Sequence, residues 1–355
     1  MSPTPAPQTP PHPPAAPADT ASGAAPAGAI PAATSAAGPW LMHVPVPLFA
    51  VVMGVTGLGI AWRKAAHVLH VPAAIGEGIL ALAGLLFVAI ACLYGAKALR
   101  FPKAVAHEFG HPVRANFFPA ISIGMLLLSI AALPHAHAVA VALWSVGAAV
   151  HLTLTVTLLK RWILREVELV HSNPAWFIPI VGNVIAPLTG MQIGQVELSW
   201  FFFSVGMVFW VVLLTVMIYR IIFHAPLPVK LLPTLFILLA PPSVGYLSHM
   251  ALMGGEAAAL DGLARVLVHI ALFKALLLLA MAPTFLKVPF AVSWWAFTFP
   301  SAALAAATLD YAARTGSTGL TMVAWALLAA ATVIIVTVFL RTLRALVGGH
   351  LFVPE

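Results

Sequence analysis

Within the apolar stretches of this chain, proline falls in every second one. Ten spans can be read, near 46–62, 75–98, 115–133, 138–160, 175–193, 198–222, 231–250, 261–282, 291–311 and 319–343. The odd-numbered spans carry Pro45 and Pro47, Pro119, Pro179 and Pro187, Pro233 with Pro241 and Pro242, and Pro300. The second, fourth, sixth and tenth carry none, and the eighth has only Pro283 at its exit. Proline inside a helix removes one backbone hydrogen bond and crowds the preceding turn, costing roughly 3 kcal/mol. A bilayer accepts the freed carbonyls only where protein or a water-filled cavity satisfies them. Five proline-kinked helices alternating with five intact ones therefore predict an inner ring around a polar path, enclosed by an outer ring against lipid. The expected fold is an all-α membrane protein of ten transmembrane helices, arranged as five helical hairpins, with the odd helices lining a central pore.

Composition narrows the alternatives. The chain is 62% hydrophobic and 8% charged, with a mean hydropathy of +1.03, values that soluble globular domains do not reach. Each span is close to the 20 or so residues that a hydrocarbon core requires. The net charge of +7 is unevenly distributed. If the N-terminus is cytoplasmic, twelve basic residues face that side: Lys97, Arg100, Lys103, Arg114, Lys160, Arg161, Arg165, Arg220, Lys230, Lys287, Arg341 and Arg344. Four face the other: Arg63, Lys64, Arg265 and Arg314. That bias predicts cytoplasmic termini. Basic residues dispersed among loops make a poor surface for nucleic acid, so no such partner is expected.

Residues 1–40 contain eleven prolines, many alanines and almost no charge or aromatic side chains. They cannot bury enough apolar surface to fold and are expected to form a disordered tail. They also lack the basic start and apolar core of a signal peptide. The predicted organisation is thus a tail over 1–40, a membrane domain over 41–346 and a short C-terminal tail over 347–355. The lone Cys92 excludes an intramolecular disulfide and a cysteine-based metal site; a packing role in the second span is expected.

The run His107-Glu108-Phe109-Gly110-His111 matches the H-E-x-x-H pattern of zinc peptidases. That chemistry needs both histidines on one face of a continuous helix, with the glutamate activating a metal-bound water. Here Gly110 weakens the helix and Pro112 drives His111 from helical dihedrals. A membrane zinc peptidase is therefore the weaker reading, and stoichiometric zinc in the purified protein would be its signature. Neither metal nor cofactor is expected.

More specific patterns begin in the same loop. His111-Pro112-Val113-Arg114, followed by Asn116-Phe117-Phe118, leads into the third span, and Asn173-Pro174-Ala175-Trp176-Phe177-Ile178-Pro179 opens the fifth. Leu239-Ala240-Pro241-Pro242-Ser243-Val244-Gly245-Tyr246 lies in the seventh, and Trp294-Trp295-Ala296-Phe297-Thr298-Phe299-Pro300 opens the ninth. Gly54-Val55-Thr56-Gly57-Leu58-Gly59-Ile60-Ala61-Trp62 in the first is a looser match. Together, from about residue 45 to 345, they resemble the family of plant guard-cell slow anion channels and bacterial tellurite-resistance TehA proteins. The resemblance implies a homotrimer in a membrane, expected to be the bacterial inner membrane, with one pore per protomer made by the five odd helices. It further implies a pore plugged by a phenylalanine of the ninth helix, which here is Phe299. The expected pore-helix kinks are Pro47, Pro119, Pro179, Pro187, Pro241, Pro242 and Pro300, and the expected permeants are small anions, inorganic ones with tellurite or C4-dicarboxylates as candidates.

Charged and titratable groups supply the alternatives. The odd spans carry no clearly central Asp, Glu, Lys or Arg, so the path neither repels nor traps anions. Proton-coupled export of dicarboxylate or sulfite would need a titratable relay, which those spans do not offer. Lys274 is a cation inside a span, where such groups often serve a pathway. It belongs to an even helix, however, and can snorkel toward the cytoplasm. His151 and His269, also on even helices, read as packing residues. Glu77 and Asp310 lie near outer span ends and read as interfacial.

Overall fold

Five spans begin as 3-10 helix, and they are the five that carry proline. In the computed structural model, which describes residues 40–352 apart from 167, 170 and 171, these are α1 (Val46–Leu69), α3 (Arg114–Ala132), α5 (Pro174–Gly190), α7 (Val229–Leu252) and α9 (Val292–Thr315). Each label covers a 3-10 lead-in and the α-helix that follows. The lead-ins are Val46–Phe49, Arg114–Phe117, Pro174–Phe177, Val229–Leu239 and Val292–Phe297. The intervening α2 (Ala73–Arg100), α4 (His137–Leu164), α6 (Val196–Phe223), α8 (Gly262–Ala280) and α10 (Thr318–Val347) are unbroken α-helices. The predicted N-terminal tail lies outside the described residues except for Trp40.

The prolines sit where a helix tolerates them. Pro47 is in the lead-in of α1, and Pro119 is the first residue of the α-helical part of α3. Pro179 and Pro187 are each second in the short α segments Ile178–Val181 and Ala186–Gly190 of α5. Pro241 and Pro242 are second and third in the α-helical part of α7, and Pro300 is third in that of α9. The first N–H groups of an α-helix have no intrahelical acceptor, so a residue without an N–H loses little there. The irregularity moves instead into the lead-ins. Runs of 3-10 helix beyond three or four residues are uncommon, yet Val229–Leu239 spans 11 residues with Pro233 inside it.

Burial divides the two sets. In α1, α3, α7 and α9, 72%, 72%, 78% and 78% of the most apolar window is buried. In α2, α4, α6, α8 and α10 the shares are 22%, 33%, 33%, 33% and 28%. Leu85, Val208, Leu279 and Val333 are among the large apolar residues that the even spans leave exposed, as expected of a surface against lipid. Cys92 is exposed on α2, not packed in the interior as its size suggested. Each odd span packs on the even span that follows it. The odd spans also pack on one another, α1 on α3, α3 on α5, α5 on α7, α7 on α9 and α9 on α1, which closes the ring.

Among the described residues, nine of the ten spans are long and apolar enough to cross a membrane, and α5 is shorter. It is built from two 3-10 turns and two short α segments. The rings of Trp40 and Phe352 stack 5.8 Å apart, so the two ends of the described chain meet. Ten crossings, with α5 as the tenth, would return the chain to its starting side.

The closest seam of the ring joins α1 to α9. A Cβ on Gly54 would overlap Thr298 Oγ1, and one on Gly57 would stand 3.0 Å from Cδ2 of Phe299. Small residues let membrane helices approach in this way. Thr298 is fully buried and has nowhere to move. Gly54→Ala should therefore lower the stability of the folded protein by about 1–3 kcal/mol, as overpacking does, read as a lower thermal midpoint in detergent. Gly78→Ala, on α2 with no atom within 4 Å of the new methyl, should leave the midpoint unchanged or raise it.

Candidate functional site

A cavity of about 60 Å³ lies inside the ring, and its lining comes from all five odd spans and from none of the even ones. The residues lie in the first half or about the middle of each span, among them Pro47 and Met53 of α1, Phe117 and Ile123 of α3, Val181 and Gly182 of α5, Ile237 and Pro241 of α7, Ala296 and Phe299 of α9. Ser293 is the polar side chain on the wall, and its hydroxyl donates to Lys230 O at 2.5 Å. No lining residue is titratable. The wall is a sleeve of apolar side chains and of backbone where 3-10 helix turns into α-helix.

Phe299 stands on this wall, with its ring edge against Gly57 and its side chain 8% exposed. Phe297 is equally buried but lies elsewhere. It packs edge to face with Phe236 at 4.7 Å and with Phe285 and Trp294, each at 5.8 Å. Two helix positions send side chains to different sides, and here one ring reaches the cavity while the other joins an aromatic cluster. Trp295 also lines the cavity and fixes α9 to α10 by donating Nε1–H to Thr342 Oγ1 at 3.0 Å. Of the seven predicted kink prolines, Pro47, Pro241 and Pro300 line the cavity; Pro119, Pro179, Pro187 and Pro242 do not.

Irregular backbone needs donors from outside its own helix, and the neighbouring spans supply them. Thr155 of α4 donates to Pro179 O at 2.6 Å, and Trp144 of α4 donates to Ala186 O at 2.8 Å. Ser248 of α7 donates to Val184 O. The ammonium of Lys274, on α8, donates to Leu238 O at 3.2 Å. It is 9% exposed, so it does not snorkel to the cytoplasmic side. His151 is fully buried, with Nδ1 2.9 Å from Ser122 Oγ, and its ring occupies the space that a side chain at Gly182 would fill. His269 is held by Arg265 O at 2.7 Å and meets the edge of Tyr311.

The zinc-peptidase pattern proves to be a strap. Glu108 is buried near the end of a short helix, Pro102–Gly110. Its Oε1 accepts from Val46 N at 2.7 Å; its Oε2 accepts from Tyr94 at 2.8 Å and pairs with Lys97 Nζ at 2.7 Å. Lys97 also donates to Val44 O at 2.6 Å. The carboxylate thus holds the chain entering α1, with both of its oxygens engaged. His107 is exposed, and His111 Nδ1 accepts from the backbone of Val113 at 3.1 Å and of Arg114 at 3.3 Å. No group of three His, Cys, Asp or Glu that could hold a metal occurs among the described residues.

At the far end of the odd spans, Asp310 is buried. It pairs with Lys64 at 2.5 Å and Arg314 at 2.6 Å and accepts from Tyr246 at 2.7 Å, tying α1, α7 and α9 together. Glu77 binds Arg63 through both oxygens and also meets His135 at 2.9 Å. Asp261 caps α8 and faces His249 at 2.7 Å. The N–H of Ala264 and, after it, the imidazole of His249 hold its carboxyl below the usual carboxylate range. Three of the four basic residues counted on this side, Arg63, Lys64 and Arg314, are thus ion-paired, the last two to the same carboxylate.

Known proteins are similar to this chain in sequence. The chain is 30% identical over 320 residues to the S-type anion channel SLAH3 of Arabidopsis thaliana, covering 86% of this chain and 49% of that protein. It is 26% identical over 286 residues to the guard cell S-type anion channel SLAC1 of the same plant, covering 77% and 50%. The chain spans about half the length of these plant relatives. It is 23% identical over 266 residues to the tellurite resistance protein TehA homolog of Haemophilus influenzae, covering 74% of this chain and 79% of that protein. The profile of the SLAC1 voltage-dependent anion channel family matches residues 43–343, nearly the whole described bundle, and the chain belongs to that family.

Proposed function

We propose that this protein conducts small anions passively through the odd ring and that the ring of Phe299 closes the path. The observation that carries the reading is the cavity itself: five spans of one chain enclose it, its wall is uncharged, and Phe299 stands on it. An uncharged wall offers a permeating anion no tight binding site, and conduction requires binding weak enough to allow departure. The α-helical parts of the odd spans begin beside the cavity, and helix N-termini favour negative charge. A phenyl ring across an apolar constriction blocks it sterically and disfavours water, which is one way pores gate. Tellurite is a candidate permeant because one relative is named for resistance to it. Chloride and nitrate are the plain inorganic candidates, and C4-dicarboxylates the larger ones.

Proton-coupled export needs a group on the path that exchanges protons, and the absence of titratable side chains on the wall weighs against it. Three copies would each hold a complete path, since one chain encloses the cavity; a solubilised particle with the mass of three chains would support the trimer, and a monomer with wild-type current would remove it. The loop bias of twelve basic residues to four supports an orientation with both termini in the cytoplasm. A periplasmic reporter fused after Glu355 should be inactive, and activity there would reverse the orientation.

Planar-bilayer recording tests the main reading. The reversal potential should follow an imposed anion gradient and ignore a pH gradient; one that follows the pH gradient would favour the coupled exporter. Current per assembled protein should rise about tenfold or more in Phe299→Ala, as removal of roughly 1.4 kcal/mol of barrier produces. Phe297→Ala should change it little. Unchanged current in a well-folded Phe299→Ala protein would remove the gate.

A further inference from the structure

Lys274 is a buried cation that the structure provides with no counter-ion. Its Nζ has two partners, Leu238 O at 3.2 Å and the face of Trp210 on α6, whose ring centre is 5.1 Å away. Among the described residues no carboxylate lies within ion-pair distance of it. Of the other buried charges, Lys97 pairs with Glu108 and Asp310 with Lys64 and Arg314, while Arg220 likewise has no carboxylate within ion-pair distance among the described residues. Arg220 is buried at the last turn of α6, where it donates to Ala225 O of the following loop at 2.7 Å.

The position of Lys274 follows from Pro242. Leu238 stands four residues before that proline, which has no N–H to give to its carbonyl. The ammonium takes the place of that missing donor. Ile237 just before Leu238, and Ala240 and Pro241 two and three residues after it, line the cavity. The charge therefore lies behind the wall of α7, where its 3-10 lead-in becomes α-helix.

We propose that Lys274 sets the charge selectivity of the pore, acting through the wall of α7 as a fixed positive charge that anions feel but cannot ligate. Buried charges are screened far less than exposed ones, so their field extends into a neighbouring apolar cavity. A cation on the pore surface would hold an anion and slow its departure; one behind the wall lowers the anion's energy along the path without giving it a binding site. The same charge raises the energy of a cation in the cavity. Selectivity thus comes from an outer-ring residue, while the inner ring supplies only shape and dipoles.

The proposal rests on the channel reading, and the test separates the two. Anion-to-cation permeability ratios are measured from reversal potentials in a KCl gradient, in wild type and in the Phe299→Ala background. Lys274→Gln retains a neutral N–H donor for Leu238 O, and Lys274→Arg retains the charge; Lys274→Met removes both. Lys274→Gln and Lys274→Met should lower the ratio by about threefold or more, the size of a single-charge effect at close range, and Lys274→Arg should keep it near the parent value. A folded Lys274→Gln protein with the parent ratio would overturn the proposal and leave Lys274 as a hydrogen-bond donor alone. A Lys274→Arg ratio matching that of Lys274→Gln would overturn it as well. Absence of anion current from the parents and from every variant would overturn the channel reading and this proposal together.

Discussion

In hydrocarbon every backbone N–H and C=O must find a partner within the protein, and this constraint decides which spans face lipid. The five that begin as 3-10 helix, with proline in or near the first α turn, have carbonyls that their own helix does not satisfy. They can stand only where other side chains reach them. The five unbroken helices satisfy their own backbones and can face the acyl chains, as their exposed Leu85, Val208 and Leu279 do. Alternation along the sequence thus becomes an inside and an outside.

The two rings depend on each other. The inner ring is irregular, so the outer ring donates to it: Thr155 and Trp144 from α4, Lys274 from α8. The inner ring in turn carries the small residues that allow close approach, Gly54 and Gly57 against α9 and Gly182 against His151. Buried ion pairs fasten both ends, with Glu108 and Lys97 where α1 begins and Asp310 with Lys64 and Arg314 where α9 ends. The result is a bundle whose centre has no charged side chain, although charges lie around it.

The architecture was legible because proline and hydropathy are local signals. Span order, the odd and even division and the placing of Phe299 apart from Phe297 all follow from residues close in sequence. What stayed hidden depends on contacts between distant residues. Glu108 read as part of a metal motif, because nothing near it in sequence announces that Val46 and Lys97 will fill its oxygens. Lys274 read as a snorkelling lysine, since its acceptor lies 36 residues away. The partners of Asp310 stayed hidden for the same reason, with Tyr246 64 residues distant. One signal was available and missed: Trp144, His151 and Thr155 share a face of α4 at spacings of seven and four, a polar stripe on a span expected to face lipid. The proline count also concealed where the irregularity lies, because most of the prolines mark first α turns while the 3-10 lead-ins, with Pro47 and Pro233 inside two of them, carry the disrupted backbone.

The central claim is that water and anions pass through the odd ring. Single cysteines placed after replacement of Cys92 test it most directly, at cavity-lining positions of the odd spans, Ile123, Val181, Val244 and Ala296, and at the exposed Val156 and Val208 of the even ones. In a conducting protein, small charged thiol reagents should label the first four and block current, and should leave the last two unmodified. Equal labelling of the two sets, or labelling of Val156→Cys and Val208→Cys alone, would contradict the account.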